Sequence, residues 1–111
     1  MGKYRYINTK LWSDSWLSNL DPIEKLLFLY LLTNERTTIA GIYELPLKHM
    51  AVETGIEKEM LEKILERFKK DNKVFYYQGW IYIKNFQKHQ DLSSSKIRKG
   101  IEVILLQIPP E

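Results

Sequence analysis

Residues 41–86, GIYELPLKHMAVETGIEKEMLEKILERFKKDNKVFYYQGWIYIKNF, read in order as a strand, a short helix, a Gly turn, a longer helix and a two-stranded hairpin. That order predicts a winged helix-turn-helix. Leu47–Thr54 forms the first helix of the pair, Gly55 supplies the sharp turn that a residue without Cβ makes cheaply, and residues 57–72 form the second helix. Met60, Leu61, Ile64, Leu65 and Phe68 repeat at the spacing of one buried stripe, so this second helix must dock on a body.

The wing has a checkable register. A two-residue turn at Gln78-Gly79 sets Tyr77 opposite Trp80, Tyr76 opposite Ile81, Phe75 opposite Tyr82 and Val74 opposite Ile83. One face then carries Val74, Tyr76, Ile81 and Ile83, and the other Phe75, Tyr77, Trp80 and Tyr82. Both faces are apolar or aromatic, where an ordinary wing has one solvated side. The outer face is therefore expected to be covered, by the last helix or by a second subunit; stacking of single-stranded bases on its rings is the alternative.

Upstream, Asp21-Pro22-Ile23-Glu24 is a helix start, with Asp at the cap, Pro at the first helical position and Glu three residues after the cap. The LLFLYLL that follows is apolar all round and predicts the central buried helix. Residues 4–7 suggest a short strand and 11–17 a short helix with Trp12 and Trp16 one turn apart; the strand at 42–44 is expected to sit beside the wing. After Phe86 a polar link leads to Ser93–Ser95, which can cap a final helix near 96–108 with a stripe of Ile97, Ile101, Ile104, Leu105 and Ile108. Val103 and Leu106 lie off that stripe, so the helix needs more than one neighbour. The expected organisation is one domain over 1–108, mainly α with a small antiparallel sheet, and 109–111 as the start of a linker to a further C-terminal domain.

The 111 residues suffice to bury roughly two thirds of the unfolded surface. There is no cysteine, so the core owes nothing to disulfides or a Cys-based metal site, and the longest apolar run falls far short of the roughly 20 residues that span a bilayer. No membrane association is expected, and the chain reads as a soluble, cytoplasmic protein. His49 and His89 are the only histidines, and neither a metal-ligand spacing nor a Gly-rich phosphate loop is present. The reading is of a non-enzyme without cofactor or metal.

The net charge of +3 is unevenly placed. Residues 1–56 balance, and so does the second helix, where Lys58, Lys63, Arg67, Lys69 and Lys70 meet Glu57, Glu59, Glu62, Glu66 and Asp71. From Lys73 to Gly100, six cations (Lys73, Lys84, Lys88, Lys96, Arg98 and Lys99) face Asp91 alone. Such a localised excess is the footprint expected of a nucleic-acid contact. Lys96, Arg98 and Lys99 in the first turn of the last helix oppose its dipole unless an anion binds there, and His89 can join the patch beside Lys88. The plain alternative is a solvated charge run.

YRYI at the start, LLTN at 31–34, GIYE at 41–44 and the run from Trp80 to Gln90 together resemble the N-terminal domain of phage replication initiation proteins, the replisome organisers, which are related to primosome proteins of the DnaD type. The resemblance extends over nearly the whole chain. It implies a winged helix that binds origin DNA, most simply as duplex, or self-associates, joined to a C-terminal domain that recruits a replicative helicase or its loader. The expected DNA contacts are Lys58, Lys63, Lys73, Lys84, Lys88, His89, Lys96, Arg98 and Lys99. The expected homo-oligomer interface is Phe75, Tyr77, Trp80, Tyr82, Ile104, Leu105, Leu106 and Ile108. Against major-groove reading by the second helix stand Glu57, Glu59, Glu62 and Glu66, which repel phosphates where such a helix presents itself to DNA. Contact through the wing or the basic segment is the rival mode. A primosome scaffold without DNA reading, or a winged-helix transcriptional regulator, are the other roles open to this fold.

Overall fold

The computed structural model describes residues 4–84. The final helix near 96–108, the linker start, and Lys88, His89, Lys96, Arg98, Lys99, Ile104, Leu105, Leu106 and Ile108 lie outside the described residues. Within them the order is a 3-10 turn Thr9–Ser13, then α1 Ser15–Ser18, α2 Pro22–Thr33, β1 Ile42–Glu44, α3 Leu47–Thr54, α4 Lys58–Lys70, β2 Val74–Tyr77 and β3 Trp80–Ile83. About half of the described residues are helical, and the strands form one antiparallel sheet ordered β1-β3-β2. This is a mainly α winged helix.

Each joint has a local cause. Asp21 and Glu24 form a capping box at the start of α2, with the Asp21 N–H donating to Glu24 Oε1 at 2.8 Å and Pro22 at the first helical position. At the far end, the Leu31 carbonyl has no helical partner and accepts the Tyr43 hydroxyl at 2.7 Å, which ties α2 to β1. Gly55 ends α3 in the left-handed region at φ +77°. Asn72 does the same for α4 at φ +60°: the Asn72 N–H donates to the Lys69 carbonyl and the Lys73 N–H to the Phe68 carbonyl, the paired bonds of a Schellman motif. The chain therefore turns from α4 directly into the wing. Gln78 and Gly79 both take positive φ, as a two-residue turn matched to the twist of its strands requires.

The wing register is the expected one, Val74 with Ile83, Phe75 with Tyr82, Tyr76 with Ile81 and Tyr77 with Trp80. β1 adds the third strand, with Ile42 opposite Tyr82 and Glu44 opposite Trp80. Val74, Ile81 and Ile83 point into the core, where they join Leu61, Ile64, Leu65 and Phe68 of α4, Leu27 and Leu31 of α2, and Met50 of α3. Met60, read as part of the α4 stripe, lies at its edge and is 39% exposed.

Two expectations near the N-terminus are corrected. Residues 4–7 form no strand; the segment is held by Arg5, whose Nη2 donates to the Thr37 carbonyl at 2.6 Å, rather than by a ladder. The helix expected over 11–17 is broken at Asp14, which is extended, closes the 3-10 turn and caps α1 by accepting from the Leu17 N–H at 2.9 Å. A third correction concerns α2. Leu27, Leu31 and Leu32 are buried, yet Ile23 and Leu26 are exposed, because the described elements pack against one side of the helix only. None of the described helices is long and apolar enough to cross a membrane.

Candidate nucleic-acid interface

Three aromatic rings fix the corner where α1, α2 and α4 meet. Trp16, Phe28 and Phe68 pack edge to face, with centroids 5.0 Å apart for Trp16–Phe28, 5.4 Å for Trp16–Phe68 and 5.9 Å for Phe28–Phe68. The polar edge of Trp16 turns outward, and its Nε1–H donates to Asp71 Oδ2 at 2.8 Å. Arg67 Nη1 donates to Glu24 Oε1 at 2.5 Å while its Nε lies 3.7 Å from Asp71 Oδ2, so a chain of polar contacts runs from α2 across α4 to α1. The Glu24 hydrogen bond holds the Arg67 guanidinium above its ordinary pKa. The end of α4 is thus locked in place.

Directly beyond that lock opens a groove of about 500 Å³. Its floor is Leu11, Trp16, Phe28 and Leu32, and its rim carries Lys10, Lys73 and Lys84. Lys73 is placed by the Schellman turn, with its Nζ over the Trp16 ring at 5.2 Å from the centroid. Lys84 follows β3, and its N–H donates to the Lys73 carbonyl at 3.0 Å, so these two lysines form one more rung at the base of the wing. Lys10 comes from the 3-10 turn. Asp14 and Asp71 also line the groove, but Asp14 caps α1 and Asp71 serves Trp16 and Arg67. Among the described residues no carboxylate lies within ion-pair distance of Lys10, Lys73 or Lys84. Three cations around a partly apolar groove make a place for an anion.

The structure separates the lysines expected to contact DNA. Lys73 and Lys84 meet at the groove, whereas Lys58 stands at the start of α4, about 20 Å away along a helix of 13 residues. Lys63 sits midway on its exposed side between Glu59 and Glu66. Along α4 and its cap the charges are graded: Glu57, Glu59 and Glu62 outnumber Lys58 and Lys63 over the first half, and Arg67, Lys69 and Lys70 fill the last turn against Glu66, in the sense the helix dipole favours. The basic end of α4 is the end nearest the groove. Sequence reasoning missed Lys10, and set Lys69 and Lys70 aside as balanced. Only the folded chain brings residue 10 beside residues 73 and 84.

The wing's outer face carries Phe75, Tyr77, Trp80 and Tyr82 as expected. Phe75 and Tyr82 stack at 5.8 Å with an interplanar angle of 19°, and Tyr77 and Tyr82 are 50% and 40% exposed. Phe75 and Trp80 on the same face are half-buried. Among the described residues no group of His, Cys, Asp and Glu is placed to hold a metal ion. No family model, curated protein or solved structure matches the chain.

Proposed function

We propose that this winged helix binds duplex DNA through phosphates at the groove between the 3-10 turn and the base of the wing, in the setting of phage-type replication initiation that the sequence resemblance implies. The observation that carries the DNA reading is the convergence of Lys10, Lys73 and Lys84, without ion-pair partners among the described residues, on one groove beside the basic end of α4. Contact at that end spares the Glu59 and Glu62 carboxylates an approach to phosphate. A second reading, a protein-interaction module without DNA contact, draws on the same acidic start of α4, a surface better suited to a basic partner than to a nucleic acid.

The test is duplex affinity as a function of salt. Each neutralised phosphate contact contributes roughly 0.9 to the slope of log affinity against log salt. Lys10→Ala, Lys73→Ala and Lys84→Ala are each expected to lower the slope by about that amount, and Lys58→Ala to leave it alone. Absence of duplex binding at low salt would overturn the DNA reading in favour of the interaction module. A slope that responds to Lys58 and Lys63 instead would move the contact to the start of α4.

A further inference from the structure

The wing joins a row of cations to two rows of aromatic rings. Cross-strand partners share a face, and the rung formed by Lys73 and Lys84 has the same parity as Phe75 with Tyr82 and Tyr77 with Trp80. Successive positions on one face of a strand are about 7 Å apart. Walking along the hairpin from base to tip, one meets two lysines, then a stacked ring pair at 5.8 Å, then a second aromatic pair. Tyr77 and Tyr82 are exposed, and the single carboxylate on this face among the described strand residues, Glu44 opposite Trp80, stands at the far end from the lysines.

We propose that the outer face of the wing is a binding site for unpaired nucleic acid, whose bases stack on Tyr77, Tyr82 and their ring partners while its phosphates run to Lys73 and Lys84. Aromatic rings accept any base, and a sheet with exposed rings beside cations is suited to a single strand. Glu44 repels phosphate at the tip and so favours one placement of the backbone, at the lysine end. Because Lys73 and Lys84 also line the groove, a single strand on this face and a duplex at the groove draw on the same two cations. The proposal rests on the phosphate reading of the groove for its electrostatic half; the stacking half is independent of it.

Three probes separate the two halves: an oligothymidine, an abasic oligomer of equal length, and a duplex. The intact protein is expected to bind oligothymidine at least about tenfold tighter than the abasic oligomer, since only the former can stack. Tyr77→Ala and Tyr82→Ala should each weaken oligothymidine binding about tenfold and leave duplex affinity unchanged, and Tyr82→Phe, which keeps the ring, should behave as wild type. Equal affinity for the oligothymidine and the abasic oligomer would overturn the proposal even if duplex binding follows the lysines. Failure of duplex binding with oligothymidine binding intact would sink the groove reading and leave the platform standing. If sedimentation of the same samples shows that Tyr82→Ala dissociates an oligomer while oligothymidine affinity stays constant, the face is occupied by a second copy of the chain and the proposal is refuted.

Discussion

Phe68 is the residue through which core packing reaches the groove, and Phe68→Ala is the most direct test of that linkage. The side chain is fully buried and contacts both Trp16 and Phe28 edge to face. Truncating a buried Phe costs about 3 to 5 kcal/mol, and each aromatic pair adds roughly 0.5 to 1.5 kcal/mol beyond area burial. With two pairs lost and ring neighbours fixed by their own helices, the expected cost lies at the upper end, about 4 to 5 kcal/mol. Against a typical stability of about 5 to 15 kcal/mol this leaves a marginal domain. In urea, where a small domain loses about 1 to 3 kcal/mol per molar denaturant, the midpoint should fall by about 2 M. Phe68→Leu keeps most of the volume and should fall by less than half as much. Tryptophan emission followed through the urea transition reads both variants, because Trp16 and Trp80 are both half-buried in the fold. A loss below about 1.5 kcal/mol for the alanine variant would show that the cluster does not carry the corner, and with it the account of how Lys73 is positioned.

Gly55→Ala isolates backbone strain: φ is +77° and a Cβ built there meets no atom within 4 Å, so the expected loss of about 1 to 2 kcal/mol comes from the left-handed conformation alone, read from the urea midpoint. Burial pushes the Tyr43 phenol well above its ordinary pKa, whereas in the unfolded chain it titrates near 10. Its contribution to stability is therefore fully present below about pH 10 and is lost as pH rises towards the folded value. Tyr43→Phe should lessen this alkaline loss, to which Tyr30 and Tyr76, also raised by burial, contribute as well, and at neutral pH it should cost about 1 to 3 kcal/mol by stranding the Leu31 carbonyl and the Asn34 side-chain N–H that the hydroxyl serves. Stability profiles between pH 7 and 11 for the two proteins check both statements.

Whatever depends on neighbours along the chain can be read from the residues alone. The order of α2, β1, α3, α4 and the wing, the bounds of α3, the Gly55 turn, the capping box at Asp21 and the hairpin register were all legible, because caps, turns and period-two alternation act over a few residues. Locality also explains the failures at the N-terminus, where Arg5 reaches across 32 residues to the Thr37 carbonyl and Asp14 breaks a helix that hydrophobic spacing alone would continue. Which side of α2 is covered is set by packing, since an all-round apolar helix carries no periodic mark of its neighbours. Packing likewise sets which cations lie together: Lys10 from a 3-10 turn, Lys73 from a Schellman turn and Lys84 from the end of a strand line one groove. Charge patterning read along the chain cannot find such a set, because Coulomb interaction depends on distance through space, and folding sets that distance with little regard for separation in sequence.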